Sequence, residues 1–416
     1  MVTVTVFGLG FVGLTTALGF AELGHKVYGV EINEERVDTL KSGRIPFLEP
    51  GLNEALTRHL GRNFILISDI ENAINNSECI YYCVGTPYGL EGEADLTYLF
   101  SAIESTLNVI SDNKYRVLVT KSTIPPSTSS TKIVPFVENH GKIIGVDIGI
   151  ANNPEFLREG HCWDDFMNPD RIVLGISDEK SEHILRKLYS EMHVPVHCVS
   201  LNTAEFIKYL SNTLLATLIS YSNEMALIAE SIGDIDVSNA FRILVEDKRW
   251  NHCGMTSYVY PGCGYGGYCL PKDTCALYSI AKTKGFDAKI LNNVIKLNER
   301  MPEIICNRIQ TVTKNQGTIG ILGLSFKPFS DDVRDTPAAK IIQQLICSGH
   351  SDIYVYDPVA RNEFKKCYPD LDIVYCSSLD EIVKLSNVLV IVTAWDEFKR
   401  VPEICSKTIV DCRYML

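Results

Sequence analysis

The chain has 416 residues, 46% of them hydrophobic, with a formal net charge of −12 and a pI near 5.3. That length suits two or three domains, and the acidity argues against nucleic acid as a partner. No apolar run reaches the roughly 18 residues of a membrane span, and the 14 cysteines form neither a metal-type CxxC pair nor a disulfide framework, so the expectation is a cytoplasmic enzyme with reduced thiols and no metal.

From the N-terminus, Val2 to Phe7 reads as a β-branched strand running into Gly8-Leu9-Gly10-Phe11-Val12-Gly13 and then a helical pattern, Leu14 to Leu23. Strand, Gly-x-Gly-x-x-Gly and helix in that order predict a dinucleotide turn, with the pyrophosphate over the helix N-terminus. The strand Lys26 to Ile32 carries Glu31, 18 residues after Gly13, where an acid meets the ribose hydroxyls and disfavours a 2′-phosphate, so NAD is expected over NADP. Arg36 leaves two readings open, a partner for a 2′-phosphate or a solvated helix face. Further strands are predicted at Ile65-Ser68, Cys79-Val84, Val117-Thr120, Asp147-Asn152 and Arg171-Gly175, giving residues 1–200 the rhythm of a doubly wound parallel sheet. Thr86-Pro87 and Lys121-Ser122-Thr123 follow directly on strands, the edge where such sheets bind ligands.

Between Thr203 and Ile232 apolar residues recur at three- and four-residue steps, predicting a helix of about 45 Å at 1.5 Å per residue. A helix that long reads as a backbone joining two domains and as a subunit interface of a homodimer. Lys208 and Asn212 stand four apart on it, either pointing into a site or forming an ordinary solvated edge.

Gly264 to Asp273 follows as a glycine-rich loop containing Cys269, Lys272 and Asp273. A thiol in the company of a base and an acid has the makings of a nucleophile, and the glycines admit close approach of a bulky ligand. Pro271 suits the first turn of a helix beginning here, which would stack Cys269 and Asp273 on one face. Beyond residue 315, strands at Thr318-Gly323, Asp352-Tyr356, Asp372-Tyr375, Asn387-Val392 and Thr408-Cys412 predict a second nucleotide-sized α/β domain without the glycine fingerprint. Lys327 and Arg334 there offer the local positive charge that a diphosphate ligand requires of an acidic protein.

Taken together, Gly8 to Gly13, Thr86-Pro87, the turn at Gly92 to Leu96, Lys121-Ser122-Thr123, Asn153 to Gly160, Pro169 to Val173, Ala204-Glu205, Lys208, Asn212, the cysteine loop, Gly323 to Pro328 and Asp332-Val333-Arg334 make the chain resemble the UDP-glucose/GDP-mannose dehydrogenase family. The resemblance is strongest to its UDP-glucose-oxidising branch. It implies two Rossmann-like domains joined by a long helix and a helical dimer-forming domain: NAD-binding residues 1–200, a central domain at 201–300 and a UDP-sugar domain at 315–416. It implies oxidation of a nucleotide sugar, UDP-glucose foremost, at C6 to the carboxylate with two NAD reduced. Cys269 would hold the aldehyde as a thiohemiacetal and then a thioester. Lys208 with Asn212 would stabilise the oxyanion, and Asp273, Glu155 and Thr123 would manage water. By the same resemblance Gly8, Gly10, Phe11, Val12, Gly13, Glu31, Arg36, Thr86, Thr123, Glu155, Lys272 and Arg334 touch NAD. Phe156, Leu157, Glu159, Lys208, Asn212, Arg249, Tyr258, Val259, Tyr260, Pro261, Gly262, Gly266, Lys327 and Arg413 touch the sugar nucleotide. Ser127 stands where relatives commonly have glycine, Glu31 where aspartate is usual, and Trp250-Asn251 in place of Ile-Gly. Pro271-Lys272-Asp273 favours UDP-glucose or GDP-mannose over N-acetylhexosamine substrates. The alternatives are another nucleotide hexose, a two-electron dehydrogenase of the 6-phosphogluconate or 3-hydroxyacid type, and a sensor that binds without reacting.

Overall fold

The computed structural model describes residues 1–87, 93–247, 259–313 and 317–416. These divide into two compact units, 1–210 and 211–416.

In the first unit short runs of Val, Ile and Tyr, buried on both faces, form an eight-stranded sheet. The strands are β1 (Thr3–Phe7), β2 (Lys26–Val30), β3 (Phe64–Leu66), β4 (Cys79–Tyr82), β5 (Arg116–Thr120), β6 (Ile148–Asn152), β7 (Ile172–Ile176) and β8 (Val196–Val199), in the order 3-2-1-4-5-6-7-8. All pair in parallel except β6 with β7, so the sheet is mixed where the sequence pattern suggested a parallel one. Burial patterns encode which residues are inside and say nothing of strand direction. β8 was not foreseen, being four residues long and only partly buried behind Pro195. Gly175 pairs with both Asn152 and Val199, so β8 ends level with the carboxyl end of β6. The helix Leu201–Ile232 therefore leaves the sheet at its ligand-binding edge. A Cβ on Gly175 would lie 2.7 Å from that of Ala204, so only glycine admits the helix at this depth.

The second unit carries helices Val237–Leu244, Cys269–Thr283 and Lys289–Thr313, followed by a parallel sheet of β9 (Ile319–Leu322), β10 (Ile353–Tyr356), β11 (Val374–Tyr375), β12 (Val388–Ile391) and β13 (Thr408–Asp411). Its order, 11-10-9-12-13, repeats that of the first five strands of the larger sheet. The repetition reaches single bonds. Gly8 and Gly323, both at positive φ, donate to Val30 O and Tyr356 O on the second strand of their sheets. The next amides, Leu9 N and Leu324 N, bond carboxylates at the end of that strand: Glu31 at 2.9 Å and Asp357 at 2.7 Å. Among the described residues no helix is long and apolar enough to cross a membrane.

Candidate active site

The dinucleotide turn is built as its sequence requires. A Cβ on Gly13 would lie 1.7 Å from Gly8 O, whereas one on Gly10 would meet nothing within 4 Å, so the turn is closed beneath and open above. The helix Phe11–Glu22 has no side-chain cap and no acid in its first turn, leaving its N–H groups and dipole for an anion. These features fit the pyrophosphate of a dinucleotide. Glu31 at the end of β2 accepts from the Leu9, Ile32 and Asn33 amides and from Arg36 at 2.8 Å. Burial pushes its carboxyl up, but those donors outweigh it and hold it below the ordinary range. Arg36 is thus paired with Glu31, its side chain still 36% exposed. Thr86 Oγ1 donates to Thr123 O at 2.9 Å, joining the loops that follow β4 and β5.

At the end of β6 the chain turns into Asn153 to Gly160. Glu155 lies 2.7 Å from Lys208 Nζ, both 6% exposed at the side chain, and accepts the Leu157 amide at 2.8 Å. Burial drives the Glu155 carboxyl up, but the charge and hydrogen bond of Lys208, the Leu157 amide and the charge of Lys121 carry it below its usual value. Lys208 Nζ and the Arg171 guanidinium both stand over the Phe156 ring, at 5.6 and 4.6 Å. Glu159 is half-buried farther along the same loop. The sequence places Lys121 at the strand edge where such sheets bind ligands. It is 5% exposed and donates to Asn153 Oδ1 at 3.0 Å, and burial lowers its amine to about 8 against the opposing pull of Cys83 and Glu155. A lysine at a strand end carries no sequence signal of such burial.

The second group of residues lies in the other unit. The helix predicted at the cysteine loop begins at Cys269, with Pro271 in its first turn. Cys269 is exposed, while Asp273 is fully buried, 2.6 Å from both Lys272 Nζ and Asn212 Nδ2. Lys272 is thereby committed to Asp273 and is itself 2% exposed. Arg334, an exposed residue, forks onto Asp332 and lies 4.8 Å over the Tyr268 ring. Gly267 N bonds Arg334 O at 3.0 Å, and a Cβ on Gly266 would strike Asp335 O at 2.5 Å. Lys327 is half-buried, 5.5 Å over Phe326.

Two asparagines unnoticed in the sequence hold the loop before Cys269. Asn223 Oδ1 accepts Gly262 N at 2.7 Å, and Asn298 bonds both the amide and the carbonyl of Tyr265 at 2.7 and 3.0 Å. An amide inside an apolar helix face is the signal that would have marked them. Arg413 packs its guanidinium on Gly262, where a Cβ would meet it at 2.5 Å. Val259 and Pro261 are buried, and Tyr260 bonds the Tyr414 carbonyl at 2.7 Å. Arg249 and Tyr258 lie outside the described residues.

The chain matches the UDP-glucose/GDP-mannose dehydrogenase family over residues 2–193 for the NAD binding domain, 202–300 for the central domain and 320–416 for the UDP binding domain. It is 36% identical to the UDP-glucose 6-dehydrogenase of Rickettsia bellii, over 95% of this chain and 90% of that one. It is 36% identical to UDP-glucose 6-dehydrogenase TuaD of Bacillus subtilis, over 99% and 87%. A UDP-glucose dehydrogenase structure from Pyrobaculum islandicum superposes with a TM-score of 0.93 at 34% identity, covering 100% of this chain and 94% of that one. With all three family segments matched and the dinucleotide turn in place, the chain belongs to the UDP-glucose/GDP-mannose dehydrogenase family and is an NAD-dependent nucleotide-sugar dehydrogenase.

Proposed function

We propose that the protein oxidises C6 of UDP-glucose to a carboxylate by a covalent route through Cys269, consuming two NAD per sugar. One observation carries the reading: Cys269 is an exposed thiol at the first residue of a helix with no acid in its first turn, while one turn on Asp273 is buried against Lys272 and Asn212. A helix N-terminus favours negative charge, which suits an attacking thiolate. The sugar is taken as UDP-glucose because the similar proteins from R. bellii, B. subtilis and P. islandicum carry that substrate in their names.

Bound NAD would rest on Gly8 to Gly13 with Glu31 at its ribose and supply the hydride acceptor for both oxidations. The first oxidation leaves an aldehyde. The Cys269 sulfur adds to its carbonyl carbon while the oxygen takes a proton, giving a thiohemiacetal; loss of a hydride and the hydroxyl proton then gives a thioester. Water attacks the thioester carbon, the carbon–sulfur bond breaks, and the carboxylate leaves as the thiol is restored. Lys208 stabilises the oxyanion with Asn212 one turn away on the same helix. Asp273 holds a proton-accepting carboxylate near the thiol, and Glu155 with Thr123 positions the hydrolytic water. Phe156, Leu157, Glu159, Gly262, Gly266, Lys327 and Arg413 hold the sugar nucleotide. We assign three domains, at 1–200, 201–300 and 315–416, a homodimer, and a cytoplasmic setting.

Counting NADH per UDP-glucose consumed tests the scheme. The parent should give two, and Cys269→Ser should yield no more than one with no acid released. One NADH per product in the parent, or full acid production by Cys269→Ser, overturns it.

A further inference from the structure

The Glu155 to Gly160 loop is held at its near end by buried side chains that meet on Asn153. Asn153 accepts from Lys121 and from Tyr189 at 2.6 Å and donates to Val173 O at 3.0 Å. Its far end is held by a residue that no step of the mechanism uses. Glu49, 4% exposed, accepts the Gly160 amide on one carboxylate oxygen at 2.8 Å and the Cys162 amide on the other at 2.7 Å. Both amides belong to buried residues, so without Glu49 they would be stranded donors.

The segment carrying Glu49 touches the cofactor turn as well. Phe47 stacks on Phe11 of the glycine turn with centroids 4.0 Å apart. Gly51, at φ +80°, lies so close beneath Trp163 that a Cβ would come within 2.7 Å of its ring. Phe47, Leu157 and Trp163 all pack against the same core. Residues 47–51 thus form a strap from the glycine turn to the end of the Glu155 loop.

We propose that Glu49 is a positioning residue for the nucleotide sugar: its carboxylate fixes the far end of the Glu155 to Gly160 loop, and with it Glu155, Phe156 and Leu157. The proposal rests on the function assigned above. A carboxylate is the group suited to this place, since two amides converge on it and each needs an acceptor; an amide side chain offers one oxygen and turns its NH₂ toward the other donor.

Steady-state kinetics with UDP-glucose, NADH titration by fluorescence and thermal unfolding on the parent, Glu49→Gln and Glu49→Ala separate the possibilities. Glu49→Ala should raise KM for UDP-glucose about tenfold or more and lower kcat, as expected when a reacting group is misplaced by a fraction of an ångström, while its Kd for NADH, which depends on Glu155 among many contacts, rises several-fold less. Glu49→Gln, keeping one acceptor, should fall between Ala and the parent. A KM within about twofold of the parent, or KM and the NADH Kd rising by the same factor as in general loosening, overturns the proposal while the parent's activity upholds the functional reading. A parent that reduces no NAD with UDP-glucose overturns both.

Discussion

A residue's chemistry here is set by its nearest partners. Lys208 sits against Glu155 at 2.7 Å, away from bulk water, where an oxyanion donor is worth most. Lys208→Ala is therefore expected to lower turnover at saturating substrate by about 10²- to 10³-fold, and near-parental turnover would remove it from the mechanism. Ser127 illustrates a different kind of constraint. It adopts φ +74°, a conformation that costs a side chain about 1–2 kcal/mol. The adjacent turn places Ser129 N on the Glu205 carboxylate at 2.9 Å. Ser127→Gly is expected to leave this bond intact and stabilise the fold by up to about 1 kcal/mol, measured by denaturant unfolding. A loss of stability would show that the hydroxyl matters more than the backbone.

Among the elements, the long helix separates two tasks by face. Phe206, Leu210, Leu214, Tyr221 and Ile228 are each at least 44% exposed and fall within an arc of about 80° at 100° per residue, while Lys208 and Asn212 lie on the other side. An apolar stripe of that length is what a second copy of the helix would cover. For the homodimer proposed above, Leu210→Lys with Leu214→Lys should give a monomer in sedimentation velocity; an unchanged sedimentation coefficient would count against an interface on this stripe. This helix was legible from its apolar spacing, as were the strands with continuous β-branched runs and the helix starting at Cys269. Other features left no trace in a linear reading. β7 runs against β6 with the same buried pattern a parallel strand would show. Glu49 meets its amide partner across 111 residues, and a backbone amide has no residue type to recognise. The Asp273 cluster was half legible: the offset from Cys269 is written in the chain, but the bond from Asn212 depends on two helices meeting.

For the molecule as a whole, the buried groups set its tolerance of acid. His25 accepts Val2 N at 3.1 Å and contacts Leu188 O at 2.9 Å, a pairing that requires a neutral ring, and burial pushes it below its ordinary value. The unfolded chain therefore takes that proton first, so the stability His25 contributes is complete above about pH 6.5 and is lost as pH falls. Glu31 and Glu155, held low despite burial, add a second loss below their ordinary range of about 4.3. Glu49 and Glu205, raised by burial, work in the opposite sense and soften it. The unfolding temperature is expected to drop between pH 7.5 and 5.5, with His25→Gln flattening that limb; a parent indifferent over this range would contradict the assignment.

The clasp that joins the amide after the first glycine to an acid at the end of the second strand occurs once in each unit, through Glu31 and through Asp357. Each unit thus ties down its own first loop from within: Asp357 also takes the Ser325, Val359 and Ala360 amides and the Trp395 indole, so losing that carboxylate would strand several buried donors of the second unit at once while the bonds of Glu31 stay made.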